Sequence, residues 1–337
     1  MRTIEWKNGV VKTIDQTLLP THTIYLEMTK IDQVARAIKT LQVRGAPLLG
    51  AAAAYGLALT AHHSKAKTKK QLIDELEASA RILKETRPTA VNLFWAIERV
   101  MKKAMEKEGV TDSARAVVEE AEKIADEDVE VNRRIGKHGA TLIEDGDTVL
   151  THCNAGSLAT VDYGTALAVL RTAHEEGKRI NVIATETRPL LQGARLTTYE
   201  LHRDGIPVTL ITDSMVGYVM SQGLVQEVIV GADRIVRDAV VNKIGTYSVA
   251  VLAHEHKIPF YVAAPRSTFD LERLAKSVVI EERSMAEVVK VGNMQIAPKG
   301  VPALNPAFDV TPMKYVAGII WEEGVLSPVA FQKLLAL

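Results

Sequence analysis

The chain has 337 residues, 47% of them hydrophobic, which is enough for two ordinary domains with a core each. Lysine plus arginine and aspartate plus glutamate both total 41, so the formal net charge is zero; this excludes a strongly basic nucleic-acid-binding face and points to a small-molecule partner. A single cysteine excludes an internal disulfide, and the opening MRTIEWKNG lacks the charged-then-apolar pattern of a secretion signal, so the expected location is the cytoplasm.

After a short extended start, Ile31, Val34, Ala35, Ile38 and Leu41 recur at one-face helical spacing, with Thr29 and Asp32 fitting a capping box. Gly45 is expected to end that helix and Pro47 to start the next. The weakly polar run Ala46 to Ala61 is too short for a membrane span, for which about 18 apolar residues are needed, and reads as a buried helix. Further helices are expected over Lys70 to Lys84, Val91 to Glu106 and Ser113 to Ile135. Adjacent His62 and His63 point in different directions on a helix, a poor spacing for metal ligands, and read as a solvated helix end.

From Asp147 the texture changes to β-branched runs, TVLTHC, INVIATET, VTLITDS, EVIVGAD and FYVAAP, most followed by a helical stretch. That alternation predicts a parallel sheet with crossover helices. The domain boundary falls near 125 to 145, dividing a mainly helical domain, 1–130, from an α/β domain, 131–337. Ligands in such sheets bind at the carboxyl ends of strands, where these runs carry Cys153, Glu186, Asp213 and Asp233.

Cys153 lies in a turn of small residues, THCNAG, ahead of a helix expected from about Val161 to Glu176. A helix N-terminus lowers a thiol's pKa and makes it a better base or nucleophile; a buried structural cysteine is an equally weighted reading. Its neighbour His152 points to the opposite face of the strand, so no thiolate–imidazole pair follows from adjacency. Asp233 follows Gly231 and Ala232, where burial would favour an acid able to protonate a substrate oxygen; a turn-capping aspartate is the alternative. Asn242, Lys243 and Gly245 introduce a helix and form a candidate anion site. Arg44 in RGAP and Arg87 in TRPTAVN each stand shortly before a proline able to open a helix, where a guanidinium could meet a phosphate beside unpaired N–H groups. No Walker A pattern, G-x-G-x-x-G, Cys-x-x-Cys or His-x-x-x-His is present, which argues against nucleotide hydrolysis, dinucleotide redox chemistry and structural zinc.

Seven ordered segments, RGAPLLGAAAAYG, TRPTAVNLFWA, THCNAG, ETRPLLQGARLT, TDSM, VGADRI and NKIGTY, resemble the methylthioribose-1-phosphate isomerases across nearly the whole chain. The resemblance implies a helical N-terminal domain followed by a Rossmann-like parallel-sheet C-terminal domain, and a homodimer. It implies conversion of 5-methylthioribose 1-phosphate to 5-methylthioribulose 1-phosphate in methionine salvage, a reaction expected to need no cofactor and no metal; charge and hydropathy give no expectation of a nucleic-acid or membrane partner. It assigns catalysis to Cys153 and Asp233, and substrate contacts to Arg44, Gly45, Ala46, Arg87, Gln192, Asn242 and Lys243. Two relatives of that family set the alternatives: ribose-1,5-bisphosphate isomerase, and the non-enzymatic regulatory subunits of a translation-initiation exchange factor, which share the architecture. VNLFWA resembles the methylthioribose enzymes, and Leu93, Phe94 and Trp95 would suit a methylthio group as an apolar wall, ordinary helix packing being the other reading.

Overall fold

The computed structural model describes residues 1–334, which divide into two compact units. The first comprises Met1–Arg133 and Gly156–Gly164, the second Arg134–Ala155 and the chain from Thr165 onward.

The extended start of the first unit is an antiparallel sheet of β1 (Ile4–Lys7), β2 (Val10–Ile14) and β3 (Tyr25–Met28). Five helices follow: α1 (Ile31–Lys39), α2 (Ala46–His63), α3 (Lys69–Lys84), α4 (Val91–Glu106) and α5 (Val110–Ala140), whose last turns count with the second unit. Apolar on every side, α2 is the buried helix its sequence suggests. Its small residues let α4 approach so closely that a Cβ on Gly50 would lie 3.0 Å from the Asn92 carbonyl oxygen. Thr68 and Gln71 form a capping box at the start of α3. The box expected from Thr29 and Asp32 does not form; Gln33 Oε1 instead accepts from the backbone N–H groups of Thr29 and Lys30. Gly45 does not end α1, which stops at Thr40; with φ 110° it opens α2.

Segment 156–164 belongs to this unit because long-range bonds hold it there: Thr3 N–H donates to Val161 O (2.7 Å), Gln16 Nε2 to Leu158 O (2.7 Å) and Val161 N–H to Asp128 Oδ2 (2.7 Å). Tyr163 and Gly164, at φ 72° and 87°, turn the chain out again, so the helix expected from Val161 starts only at Ala166.

In the second unit the chain runs β4 (Thr148–Thr151), α6 (Ala166–Glu175), β5 (Asn181–Thr185), α7 (Thr198–Arg203), β6 (Val208–Ile211), α8 (Val216–Ser221) and β7 (Glu227–Val230). A hairpin of β8 (Arg234–Val236) and β9 (Ala239–Lys243) precedes α9 (Thr246–Glu255), β10 (Phe260–Ala263) and β11 (Phe269–Asp270). After α10 (Ala286–Val289) and the small hairpin of β12 (Lys290–Val291) and β13 (Met294–Gln295) come β14 (Phe308–Pro312), β15 (Gly318–Trp321), β16 (Gly324–Leu326) and α11 (Pro328–Leu334).

The main sheet has the order β16-β15-β10-β7-β4-β5-β6, all neighbours parallel except β16. Counted along the chain, its six parallel strands therefore lie 3-2-1-4-5-6, the doubly wound order whose direction of winding reverses between the first and fourth strands, here β4 and β7. The α/β class read from the sequence holds, with its helical N-terminal part and parallel sheet. Leu150, Val228, Val230 and Val262 fill the core at the sheet's centre. A second sheet, β11-β8-β9-β14, grows out of the connection after β7. Among the described residues no helix is long and apolar enough to cross a membrane.

At the first residue of β7, Glu227 is 5% exposed, its Oε1 has no hydrogen-bond partner among the described residues, and burial beside Asp147 and Glu144 raises its pKa to about 7. A folded-state pKa above the unfolded value means that the ionised carboxylate destabilises the fold above pH 7 and that this penalty vanishes as pH falls below the unfolded pKa. Glu227→Gln should therefore raise stability at pH 8 by about 2–3 kcal/mol and flatten its pH dependence between pH 5 and 7, as read from urea unfolding at several pH values.

Candidate active site at the strand ends

β4 and β7 deliver Cys153 and Asp233 to the point where the winding of the sheet reverses. Their loops touch, because a Cβ on Gly231 would lie 2.7 Å from Ala155 Cβ. Cys153, partly buried, sits at φ 66°, a region that non-glycine residues seldom occupy. Both ends of its peptide are gripped: its N–H donates to Thr187 Oγ1 (2.9 Å), and its carbonyl accepts from Thr197 Oγ1 (2.6 Å). Only a single 3-10 turn, Ser157–Ala159, follows the thiol, and the expected α-helix starts at Ala166 after segment 156–164, so the expected help from its N-terminus is not there.

His152, just past the end of β4, takes its two ring partners from Thr185 and Ile244. It is 2% exposed, its Nε2–H donates to Ile244 O (2.9 Å), and its Nδ1 accepts from Thr185 Oγ1 (2.6 Å). Desolvation lowers its pKa and keeps it neutral, so its work is to hold the 244–245 turn. Gly245, at φ 103°, lies against this ring, where a Cβ would be 2.8 Å from His152 Cε1. Gly245→Ala should cost about 1–3 kcal/mol in chemical denaturation, through backbone strain and displacement of the ring.

Asp233 donates its N–H to Val241 O (3.0 Å), which turns the chain straight into the β8–β9 hairpin and brings Asn242 and Lys243 back beside it. Asn242 is 5% exposed, with its amide donating to Thr246 Oγ1 (3.0 Å). Lys243 Nζ donates to Ala307 O (2.9 Å) and lies 4.8 Å from the centre of the Phe308 ring. The expected anion site at the start of α9 needs correction, since the N–H groups of Gly245 and Tyr247 are already taken by the Asp309 carboxylate (2.7 and 3.1 Å). Burial pushes Asp309 up to about 6 against the pull of those two donors. Asn242 and Lys243 remain as side-chain candidates only.

Gln192 is 7% exposed, and its Oε1 has no hydrogen-bond partner among the described residues, an acceptor suited to a ligand hydroxyl. The next residue, Gly193, begins a five-residue π-helical turn; a Cβ there would lie 1.7 Å from Thr185 O. Behind the Cys153 turn, buried Asn154 donates to Glu200 Oε1 (2.9 Å), whose Oε2 accepts from Arg171 (2.7 Å). Nothing in the sequence marked Asn154, Arg171, Glu200 or Asp309 for these roles, because their partners lie dozens of residues away.

The remaining candidates lie in the first unit. Gly45 packs so tightly on the turn at 157–159 that a Cβ would sit 2.4 Å from Ala159 Cα, and Ala46 and Pro47 open α2 as expected. Arg44 and Arg87 are partly buried. Pro88 does not open a helix; α4 begins at Val91 after a turn, so Arg87 is not beside a helix N-terminus. Leu93, Phe94 and Trp95 all pack on this unit's core, with Lys84 over Phe94 and Arg99 over Trp95. Among the described residues no three His, Cys, Asp or Glu side chains gather as a metal-ligand set.

The model of the initiation factor 2 subunit family matches residues 42–328. The chain belongs to this family. Within it, a methylthioribose-1-phosphate isomerase of Geotalea uraniireducens is 54% identical over 330 residues, covering 96% of this chain and 95% of the relative. The solved structure of 5-methylthioribose 1-phosphate isomerase from Pyrococcus horikoshii OT3 matches with a TM-score of 0.92 at 51% identity, over 99% of this chain and 94% of that one. A solved structure named translation initiation factor eIF-2B, subunit delta, from A. fulgidus matches with a TM-score of 0.89 at 56% identity over 100% of both chains. The resemblance read from the seven segments thus extends over almost the full length.

Proposed function

We propose that the protein is an aldose–ketose isomerase that converts 5-methylthioribose 1-phosphate to 5-methylthioribulose 1-phosphate in methionine salvage, with Cys153 and Asp233 as its catalytic pair. The observation that carries this reading is the arrival of a thiol and a carboxyl group on touching loops at the point where the winding of a doubly wound sheet reverses, where such sheets bind ligands. The relatives named as methylthioribose-1-phosphate isomerases support it.

An aldose 1-phosphate is a blocked acetal and cannot open unaided. Asp233 donates a proton to the ring oxygen as the bond from that oxygen to C1 breaks. The hydrogen on C2 then passes to C1 with help from Cys153, and the 2-hydroxyl gives up its proton as it becomes the ketone, which restores the acid. Gln192 and Asn242 hydrogen-bond the sugar, while Arg44, Gly45, Ala46, Arg87 and Lys243 complete the contacts, the cations serving the phosphate. We extend the proposal to a homodimer working in the cytoplasm, a compartment that suits a lone reduced cysteine.

The test is ketose formation by the purified, chelator-treated protein from methylthioribose 1-phosphate and, separately, from ribose 1,5-bisphosphate. Rapid turnover of the first alone is expected. Preference for the bisphosphate would move the function to that substrate, and no turnover of either would favour the non-enzymatic alternative, a translation initiation factor subunit, as the A. fulgidus neighbour is named.

A further inference from the structure

We infer that Asp213 and Thr187 are positioning residues that hold Cys153 in the backbone conformation its chemistry requires. The inference rests on the catalytic role proposed above for Cys153. Cys153 at φ 66° and Thr187 at φ 65° both occupy the left-handed region, and for a β-branched threonine that is a genuine outlier. Strained residues of this kind persist only where their surroundings over-determine them.

The bonds that over-determine this pair form one chain. Asp213, just past the end of β6, uses both carboxylate oxygens on the backbone after β5: Oδ1 accepts from Thr187 N–H (2.8 Å) and Oδ2 from Arg188 N–H (2.7 Å). That fork fixes the peptide which carries Thr187 into the left-handed region. The Thr187 hydroxyl then accepts the Cys153 N–H (2.9 Å) and directs its own hydrogen to Thr185 O (3.3 Å). Gly193 approaches the far side closely, since a Cβ there would lie 2.9 Å from Thr187 Oγ1 and still closer to Thr185 O, so a side chain at 193 would displace this pair. The Asp213 carboxylate bonds the Thr187 and Arg188 peptides, so it acts on Cys153 through Thr187. The TDSM and ETRP segments thereby gain a role that neither composition nor spacing suggested.

Because Cys153 is the chain's only cysteine, its alkylation by iodoacetamide, followed by intact mass, reports on this thiol alone. Asp213→Asn keeps the shape but turns one acceptor into a donor facing an N–H, and Thr187→Val removes the hydroxyl at nearly constant volume. Each should lower kcat by about tenfold to a hundredfold, the scale of a small misplacement of a reacting group, with KM unchanged. Each should also raise the alkylation rate, as the released turn exposes the part-buried thiol. Thr187→Ser, which retains the hydroxyl, should restore both. Should Asp213→Asn fail to fold, the Thr187→Val and Thr187→Ser pair carries the test. A folded variant whose kcat is unchanged, or whose alkylation rate is unchanged or lower, overturns the inference. If the wild-type protein shows no isomerase turnover, the proposed function falls; alkylation alone then decides whether the clamp exists, a higher rate supporting it and an unchanged or lower one rejecting it.

Discussion

Asp233→Asn is expected to lower kcat by about two to four orders of magnitude while leaving KM nearly unchanged. The amide is almost the same size and keeps a hydrogen-bonding oxygen, so substrate binding survives. What disappears is the proton given to the ring oxygen, and general acid help of this kind is worth that factor. The backbone should not move, because Asp233 is anchored through its N–H to Val241 O rather than through its side chain alone. Steady-state kinetics of ketose formation separate the possibilities: loss confined to kcat places the group in the transition state, whereas a rise in KM alone would make Asp233 a binding residue. Turnover close to that of the unmodified protein would remove it from the mechanism.

Arg171→Met should be the most destabilising of the substitutions considered, by about 3–5 kcal/mol. Arg171 bridges Glu200, which is 0% exposed, and Asp204, with contacts of 2.7 and 2.6 Å. Removing the guanidinium leaves a buried carboxylate without its counter-charge, and that penalty exceeds the worth of an exposed ion pair several-fold. The loss should appear as a lower urea midpoint for the second unit. Because Glu200 also accepts from Asn154, beside Cys153, kcat should fall together with stability. An unchanged midpoint would mean that the network is screened by solvent and has no part in holding the Cys153 turn.

Much of the fold was legible because burial writes short periods into a sequence. Helix α2 showed itself as an uninterrupted apolar run, α1 as a one-face repeat, and the five β-branched runs became β4, β5, β6, β7 and β10 of one sheet. The ends of β4 and β7 could be picked out as candidate sites for the same reason, since a polar group that closes an apolar strand must emerge at its edge. The β8–β9 hairpin was hidden because RIV and AVVNK, parted by two residues, read as a loop leading into a helix. Residues 161–165 were read as the start of α6 because the partners that shape this stretch, such as Thr3 and Asp128, are far away in sequence. Asp309 eluded the reading of the anion site similarly: the carboxylate that caps α9 comes from β14, paired with β9 only in three dimensions. Candidate groups at strand ends, Asp213 among them, could be found from sequence, but not which of them bond to which, because that is a property of contacts.

The central claim is that this site moves the oxidation level of a phosphorylated sugar from C1 to C2, and the most direct test is carbon-13 NMR of 5-methylthioribose 1-phosphate labelled at C2. With the unmodified protein the label should pass from the alcohol-carbon region to the ketone region, and with the Cys153→Ser, Asp233→Asn double variant it should stay where it began. A label that never reaches the ketone region with the unmodified protein, or that reaches it equally fast with the double variant, would contradict the account.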